Sequence, residues 1–370
     1  MDVKKKIMFI VPSMRGGGSE RVMSILLKYL SREKFDIILV LLKKEGRYLD
    51  DLPKDIVIID LDVKGAKFAI FKIRNMIRKH KPDIVFSSAA HLNLLISMMK
   101  LFLPKKITFI ARESSIPSVR ENQKYPDLLN NFLYKRFYNN LDLIVCQSKY
   151  MMNDLFVHYD IKKEKMLVIN NPVDIESINK SSQENDNLLF DKCKINLLTA
   201  GRLNKVKGYD LLLQTLAKLD NRYHLTILGE GSEEGSLRKL SKDLNIEYRV
   251  SFLGFQKNPY KYMNQSDLFV LSSRYEGFPN VVLEANTCGT PVVAFDCPGG
   301  TGEIIVNGLN GFLVENRNID MLAETIRKSI DYDFNEKKIL EFVKKKYEAD
   351  LIISKYEETF LDEKSHLELK

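Results

Sequence analysis

The segment LFVLSSRYEGFPNVVLEA, residues 268–285, reads as one strand, one loop and one helix. Residues 268–271 form a continuous apolar run, the pattern of a strand covered on both faces. Gly277 and Pro279 interrupt regular structure, and a helical pattern begins near Asn280. Glu276 then stands in the loop before the helix, and Glu284 about one turn into it. Carboxylates beside the unpaired N–H groups of a helix start suit a ligand that carries both hydroxyls and phosphate. Two unrelated surface glutamates are the alternative.

The same unit recurs on both sides of this stretch. Further strands are expected at 195–199, 224–228, 250–253 and 291–294, with helices at about 208–219, 233–244 and 280–288. In the first half, strands are expected at 7–12, 36–42, 56–60, 83–87, 107–111, 142–146 and 166–169. Val22, Ile25, Leu26, Tyr29 and Leu30 make one helical stripe between them; Phe68, Phe71, Ile73, Met76 and Ile77 help to make another. Strictly alternating strands and helices imply an α/β fold with parallel, doubly wound sheets. The alternation pauses at Asn170–Asn171–Pro172 and at the polar stretch 180–187. Two Rossmann-like domains are therefore expected, over residues 1–172 and 173–349. A charged helical tail at about 350–370 is expected to pack back on the first.

The 370 residues carry 57 Lys+Arg and 49 Asp+Glu, a net charge of +8. The excess is one-sided: residues 1–180 hold 32 basic and 20 acidic side chains, and the remainder 25 and 29. An anionic partner of the first half would account for it, as would a lysine-rich solvated surface. There is no apolar run of about 18 residues, so no transmembrane helix is expected; residues 92–103 come nearest, broken by Asn93 and Lys100. The apolar stretch 7–11 after the basic residues 4–6 is too short for a signal peptide. Cys146, Cys193, Cys288 and Cys297 form no CxxC pair, and they read as buried, reduced thiols rather than a disulfide framework or a zinc site. No nucleic-acid-binding motif is present.

Other post-strand loops carry candidate chemistry. Residues 12–21 read PSMRGGGSER: Gly16, Gly17 and Gly18 let a backbone approach an anion at a helix start, or form a tight turn capped by Ser19. The spacing is neither GxGxxG nor a Walker loop. After the strand at 195–199 come Arg202 and Lys207, two cations that suit a diphosphate or else stand exposed. Gly229 lies in a glycine turn after the next strand.

Glu276-x7-Glu284 within EGFPNVVLEA resembles the E-x7-E signature of retaining glycosyltransferases of GT-B fold, and more narrowly those of family 4 (group 1). GGGSERV at 16–22, NNPVD at 170–174, GRLNKVKG at 201–208, LGEG at 228–231, FLGF at 252–255, and GGTGEII and NGLNGFLV within 299–314 fit in the same order. The resemblance implies two Rossmann-like domains facing a central cleft, the first binding the acceptor and the second the nucleotide sugar. It implies that Arg202 and Lys207 grip the donor diphosphate, that Glu276 contacts the donor sugar, and that Glu284 holds the ribose hydroxyls. Gly277, Phe278 and Asn280 would present backbone to sugar and phosphate, Phe255 would lie near the base, and Gly16–Gly18 would close over the donor. No cofactor and no metal are implied, since protein cations stabilise the leaving diphosphate. The Asp60–Leu61–Asp62 triplet, placed early in the first domain, is discounted as a metal site.

Glu113 stands where many relatives carry a histidine. It would act as a base toward the acceptor hydroxyl or, with Arg112, orient the acceptor or the loop. His91 is a further cleft candidate, with a structural role as its alternative. Segments 64–81 and 96–106 interleave Lys67, Lys72, Arg74, Arg78, Lys79, Lys81, Lys105 and Lys106 with apolar residues. Such stretches dock on anionic bilayers or cover a sheet. The expected activity is transfer of a hexose or N-acetylhexosamine, with UDP the commonest carrier, to a polyprenyl-diphosphate-linked glycan at the cytoplasmic face of a bacterial inner membrane. A nucleotide-sugar 2-epimerase and a non-catalytic nucleotide-sugar-binding module are the alternatives.

Overall fold

The structure, a computed structural model, describes residues 4–119, 128–184 and 190–362. The Lys67 side chain, residues 185–187 of the polar stretch and residues 363–370 of the expected tail lie outside the described residues. The chain divides into two compact units, Met1–Pro172 with Ala349–Lys370, and Val173–Glu348.

In the first unit, β1 (Lys5–Val11), β2 (Phe35–Leu41), β3 (Val57–Asp60), β4 (Ile84–Ser88), β5 (Thr108–Arg112), β6 (Leu143–Cys146) and β7 (Met166–Val168) form one parallel sheet, ordered β3-β2-β1-β4-β5-β6-β7 among the described residues. The helices are α1 (Gly18–Tyr29), α2 (Ala66–His80), α3 (Ala90–Met99), α4 (Leu128–Phe137) and α5 (Lys149–Tyr159). Side chains alternate along a strand. On β1, Ile7, Phe9 and Val11 accordingly join one core with α1, while Met8 and Ile10 join the other with α2–α5.

The second unit repeats the scheme. It begins with α6 (Ile175–Ser182), β8 (Ile195–Ala200), α7 (Tyr209–Ala217), β9 (Tyr223–Leu228), α8 (Glu234–Asp243) and β10 (Val250–Phe252). It continues with α9 (Tyr260–Gln265), β11 (Leu268–Leu271), α10 (Asn280–Thr287), β12 (Val292–Asp296), α11 (Thr301–Ile304), β13 (Gly311–Glu315), α12 (Ile319–Ile330) and α13 (Glu336–Tyr347). The strand order is β10-β9-β8-β11-β12-β13, all parallel. In each sheet the direction of winding reverses beside its first strand, between β1 and β4 and between β8 and β11. Doubly wound folds bind ligands in the crevice at that reversal, beyond the carboxyl ends of the strands. The glycine loop after β1 and the Arg202–Lys207 loop after β8 both start there.

Two expectations are corrected. The edge strand β13 is not among the expected strands. It starts at a glycine and offers only a short apolar run inside NGLNGFLV, so its own pattern is weak. On α2, the face turned to the sheet is Ala69, Ile73 and Ile77, at helical spacing, while Phe68 and Phe71 point to solvent. The stripe mixed residues from two faces.

The last helix, α14 (Ala349–Leu361), packs against α1 in the first unit. Its Phe360 is buried edge-on against Phe9, Phe35 and Phe86, with ring centroids 5.6–6.4 Å away. Such aromatic pairs add to the burial energy itself. Phe360→Ala is expected to lower the unfolding free energy by about 3–5 kcal/mol, read from urea denaturation. A loss under about 1 kcal/mol would mean that α14 contributes little to that core.

Candidate functional site

In the second unit, two loops at the β8/β11 crevice interlock. Backbone N–H of Arg274 donates to the Val206 carbonyl at 2.7 Å, and Ser272 Oγ donates to the Lys207 carbonyl at 3.0 Å. Gly208 sits at φ +61°, where a Cβ would lie 2.0 Å from the Ser272 carbonyl oxygen, so no larger residue fits. Asn204 caps the short turn Lys205–Lys207 by accepting from the Lys207 N–H.

The interlock brings Lys207 and Glu276 together. Lys207 Nζ and Ser273 Oγ each donate to Glu276 Oε1 at 2.6 Å. Glu276 is buried, and its N–H donates to the Pro298 carbonyl at 3.0 Å. A nearly buried carboxylate needs such partners to remain charged. Arg202 is exposed at the start of the same loop, with no ion-pair partner among the described residues. One cation is thus held by a carboxylate and the other is open to an incoming anion.

Asn280 opens α10, whose N-cap Pro279 supplies no side-chain cap, and the Val282 N–H donates to the Pro279 carbonyl at 3.1 Å. Glu284 is buried on the same helix. The Phe278 ring does not face a ligand: it is core, 5.9 Å from Tyr347, and only backbone remains for the role expected of Phe278. Gly277 accepts from the Gly300 N–H at 3.1 Å. Gly229 lies against the Gly201 carbonyl oxygen, which a Cβ would approach to 2.0 Å; close packing of the β8 and β9 turns suffices to require it. Phe255 is exposed beyond β10, and its N–H donates to Glu230 Oε1 at 3.3 Å.

The sequence reading missed Ser273, Asn204, Arg274 and Asp210. The Arg274 guanidinium holds the Asp210 carboxylate through two hydrogen bonds of 2.9 and 2.7 Å, and the Lys205 carbonyl at 2.6 Å. Burial raises the Asp210 carboxyl pKa, but the bonds and charge of Arg274 outweigh it and hold that carboxyl below its ordinary range. Arg274 thereby staples the Lys207 turn to the Glu276 loop. Its signal was in view, a cation three residues before Gly277 and an acid two residues after Gly208, but the pairing needs the fold.

In the first unit, Gly17 is the N-cap of α1 and Gly18 its first residue, with Gly16 just before. Ser19 is therefore not the cap; it lies inside the helix, with its Oγ 3.1 Å from Ser88 Oγ. Glu113 is corrected too. It is fully buried, its carboxylate accepting from Tyr138 Oη at 3.0 Å and from Asn93 Nδ2 at 3.5 Å, and its carbonyl from Gln147 Nε2 at 2.7 Å. A general base must come within hydrogen-bond reach of the proton it takes. In this structure the carboxylate is spent on Tyr138 and Asn93, an arrangement that suits a role in holding the loop ends. Arg112, also fully buried, donates to Asn171 Oδ1 at 2.6 Å and to Ser88 Oγ at 3.4 Å. His91 is exposed near the start of α3, two residues after Ala89, whose φ of 118° is strained for a residue with a Cβ.

The cysteines divide. Cys146 and Cys297 are buried, Cys193 is exposed and Cys288 half-buried, so the expectation of four buried thiols is wrong for two. Burial, then the charge of nearby Glu276, pushes the Cys297 thiol up to about 12.

Two family descriptions match along the chain, Glycosyltransferase Family 4 over residues 16–177 and Glycosyl transferases group 1 over residues 180–347. The chain is also 32% identical over 340 residues to the N-acetylgalactosamine-N,N'-diacetylbacillosaminyl-diphospho-undecaprenol 4-alpha-N-acetylgalactosaminyltransferase of Campylobacter jejuni, covering 89% of this chain and 91% of the relative. This chain belongs to the family 4 (group 1) glycosyltransferases. The glycosyltransferase is 24% identical to the amylovoran biosynthesis glycosyltransferase AmsD of Erwinia amylovora, over 88% of this chain and 90% of that one. Among solved structures, Anabaena HepE in complex with UDP superposes with a TM-score of 0.78 at 21% identity, over 96% of this chain and 99% of that one. This likeness is one of fold, and the fold is GT-B.

Two outcomes test this geometry. Asp210→Ala frees Arg274 and should lower the glycosyltransferase's turnover about tenfold, roughly 1.4 kcal/mol. Exchanging the pair as Asp210→Arg with Arg274→Asp should recover part of the loss, and unchanged turnover in Asp210→Ala would dismiss the staple. Iodoacetamide at about pH 8 should label Cys193 and spare Cys146 and Cys297, as read by peptide mass spectrometry, because a neutral buried thiol is not the nucleophile. Equal labelling of Cys297 in the folded protein would contradict its placement.

Proposed function

We propose that this glycosyltransferase moves a hexose or N-acetylhexosamine, with retained anomeric configuration, from a UDP-sugar to a polyprenyl-diphosphate-linked glycan. The product would feed a bacterial surface polysaccharide such as O-antigen or capsule. The observation that carries the reading is the Lys207–Glu276 pair beside the uncapped start of α10, at the β8/β11 crevice. The Campylobacter relative, whose name specifies a diphospho-undecaprenol acceptor, supports the choice of acceptor class. The complex of HepE with UDP supports the choice of nucleotide.

In this reading the donor diphosphate lies against Arg202, Lys207 and the first N–H groups of α10. The bond from the sugar's anomeric carbon to the phosphate oxygen breaks, and its electron pair stays on the diphosphate. Arg202 and Lys207 stabilise that charge. The acceptor hydroxyl bonds to the same anomeric carbon on the same face and passes its proton to the departing diphosphate oxygen. Glu276 holds donor-sugar hydroxyls and keeps Lys207 in place, and Glu284 receives the ribose. Protein cations do the electrostatic work here, so metal and cofactor are not required. Glu113 supports the loop ends and takes no proton. The enzyme would work at the cytoplasmic face of the inner membrane; among the described residues no helix is long and apolar enough to cross a bilayer.

Arg202→Ala and Glu276→Ala should each lower transfer at least about tenfold, or roughly 1.4 kcal/mol in barrier. The assay would use UDP-sugars with lipid-linked acceptors, and NMR of the product to assign the linkage and the anomer. EDTA should leave the rate largely intact. Near wild-type turnover in both variants would refute the site, an inverted product would refute retention, and donor turnover without acceptor would point to an epimerase.

A further inference from the structure

On the first unit, α3 packs between α2 and α4, and the three, with α5 beside α4, cover one face of the seven-stranded sheet. Their inner residues belong to the core; their outer residues are unusual for a surface. Phe68 and Phe71 of α2 are 62% and 74% exposed, Leu129 and Phe132 of α4 are 66% and 61%, and Leu101 and Phe102, just after α3, are 57% and 75%. Fully burying one such side chain is worth about 1.5–3 kcal/mol, so leaving six on one face forgoes a large apolar gain.

The helices α2, α3 and α4 carry charge of one sign, and an acid beside them is Asp160 at the end of α5, 3.2 Å from Lys135. None of α2, α3 or α4 contains an Asp or a Glu. Lys72, Arg78 and Lys79 on α2, Lys135 and Arg136 on α4, and Lys105 and Lys106 after α3 are exposed around the apolar side chains. The opposite face of the same sheet differs: α1 and α14 carry Glu20, Asp350, Glu357 and Glu358, and expose no aromatic ring to a comparable degree. The surplus of positive charge in this half is therefore concentrated on the apolar face.

We infer that the α2–α3–α4 face lies flat on an anionic bilayer. Phe68, Phe71, Leu101, Phe102, Leu129 and Phe132 enter the boundary between headgroups and acyl chains, and the surrounding lysines and arginines meet lipid phosphates. This is the mode of amphipathic interfacial helices, whose binding adds buried apolar area to attraction for anionic lipid. A protein partner with an acidic rim would meet part of the pattern. The absence of any acidic side chain from three adjacent helices fits a uniformly negative sheet of phosphates better than a partner of mixed charge. The inference deepens the proposed function, and it rests on that reading for a membrane-borne acceptor.

The test is sedimentation of the full chain with vesicles of phosphatidylcholine alone, or mixed with phosphatidylglycerol, at low and high salt. Binding is expected with phosphatidylglycerol at low salt, with loss as salt rises. Phe68→Ser with Phe71→Ser should cut the bound fraction about tenfold, and Lys135→Glu with Arg136→Glu should weaken binding at low salt. An unchanged melting temperature would show that the variants fold. Wild-type protein left in the supernatant, equal binding to both vesicles, or full binding by the phenylalanine variant would each overturn the inference. So would light scattering that shows a dimer dissociated by the same variant, since the face would then join two copies. Transfer to a detergent-dispersed acceptor separates the two readings: transfer without vesicle binding refutes only the docking face, and vesicle binding without transfer refutes only the proposed acceptor.

Discussion

Glu276 Oε1 accepts from Lys207 Nζ and from Ser273 Oγ, both at 2.6 Å, and these contacts hold two distant loops at one crevice. A carboxylate this well buried loses most of its hydration. An ammonium and a hydroxyl take the place of the water. That requirement fixes Lys207 against Glu276, and it constrains everything around them. Gly208 must lack a side chain for the loops to close on Ser272. Arg274 must pair with Asp210 to hold the Lys205–Lys207 turn in place. The start of α10, with no side-chain cap, follows Glu276 by four residues.

The first unit uses buried charge differently. Arg112 and Glu113 sit at the end of β5, both sealed from solvent, in a chain of bonds through Ser88, Asn93, Tyr138, Gln147 and Asn171. Each buried donor or acceptor left unmet would cost about 1–3 kcal/mol, so these side chains act as a group. The group ties the carboxyl ends of β4, β5 and β6 to Asn171, one residue before the last of this stretch of the unit. In the second unit the open group is a cation, Arg202. Here the charged groups at the strand ends, Arg112 and Glu113, are closed off from solvent.

Much of the architecture was legible in the sequence because parallel strands buried on both faces are continuous apolar runs. Most of the strands declare themselves this way, and the loops after β1, β8 and β11 stand out by their glycines and charges. β13 escaped notice because an edge strand is recognised by the neighbour it pairs with, β12, and not by its own five residues. Phe68 and Phe71 were misread for a related reason. Phe68, Phe71, Ile73, Met76 and Ile77 can be drawn along more than one face of the helix, and the sheet decides which face is inner. Cys193 and Cys288 are small and carry no periodic signal, so their exposure was invisible.

What the sequence determined by itself was periodicity and order: alternating strands and helices, one restart of the pattern, and the residue types placed after each strand. Local hydrophobic spacing and turn chemistry act over a few residues, and a sequence displays them directly. The tertiary structure alone decided which groups meet. Lys207 reaches Glu276 across 69 residues of chain, Arg274 reaches Asp210 across 64, and Arg112 reaches Asn171 across 59. It also decided that Glu113 is sealed while Arg202 is open. Burial and ion pairing depend on what the rest of the fold brings alongside, and neither quantity exists for a side chain until the sheet has been wound.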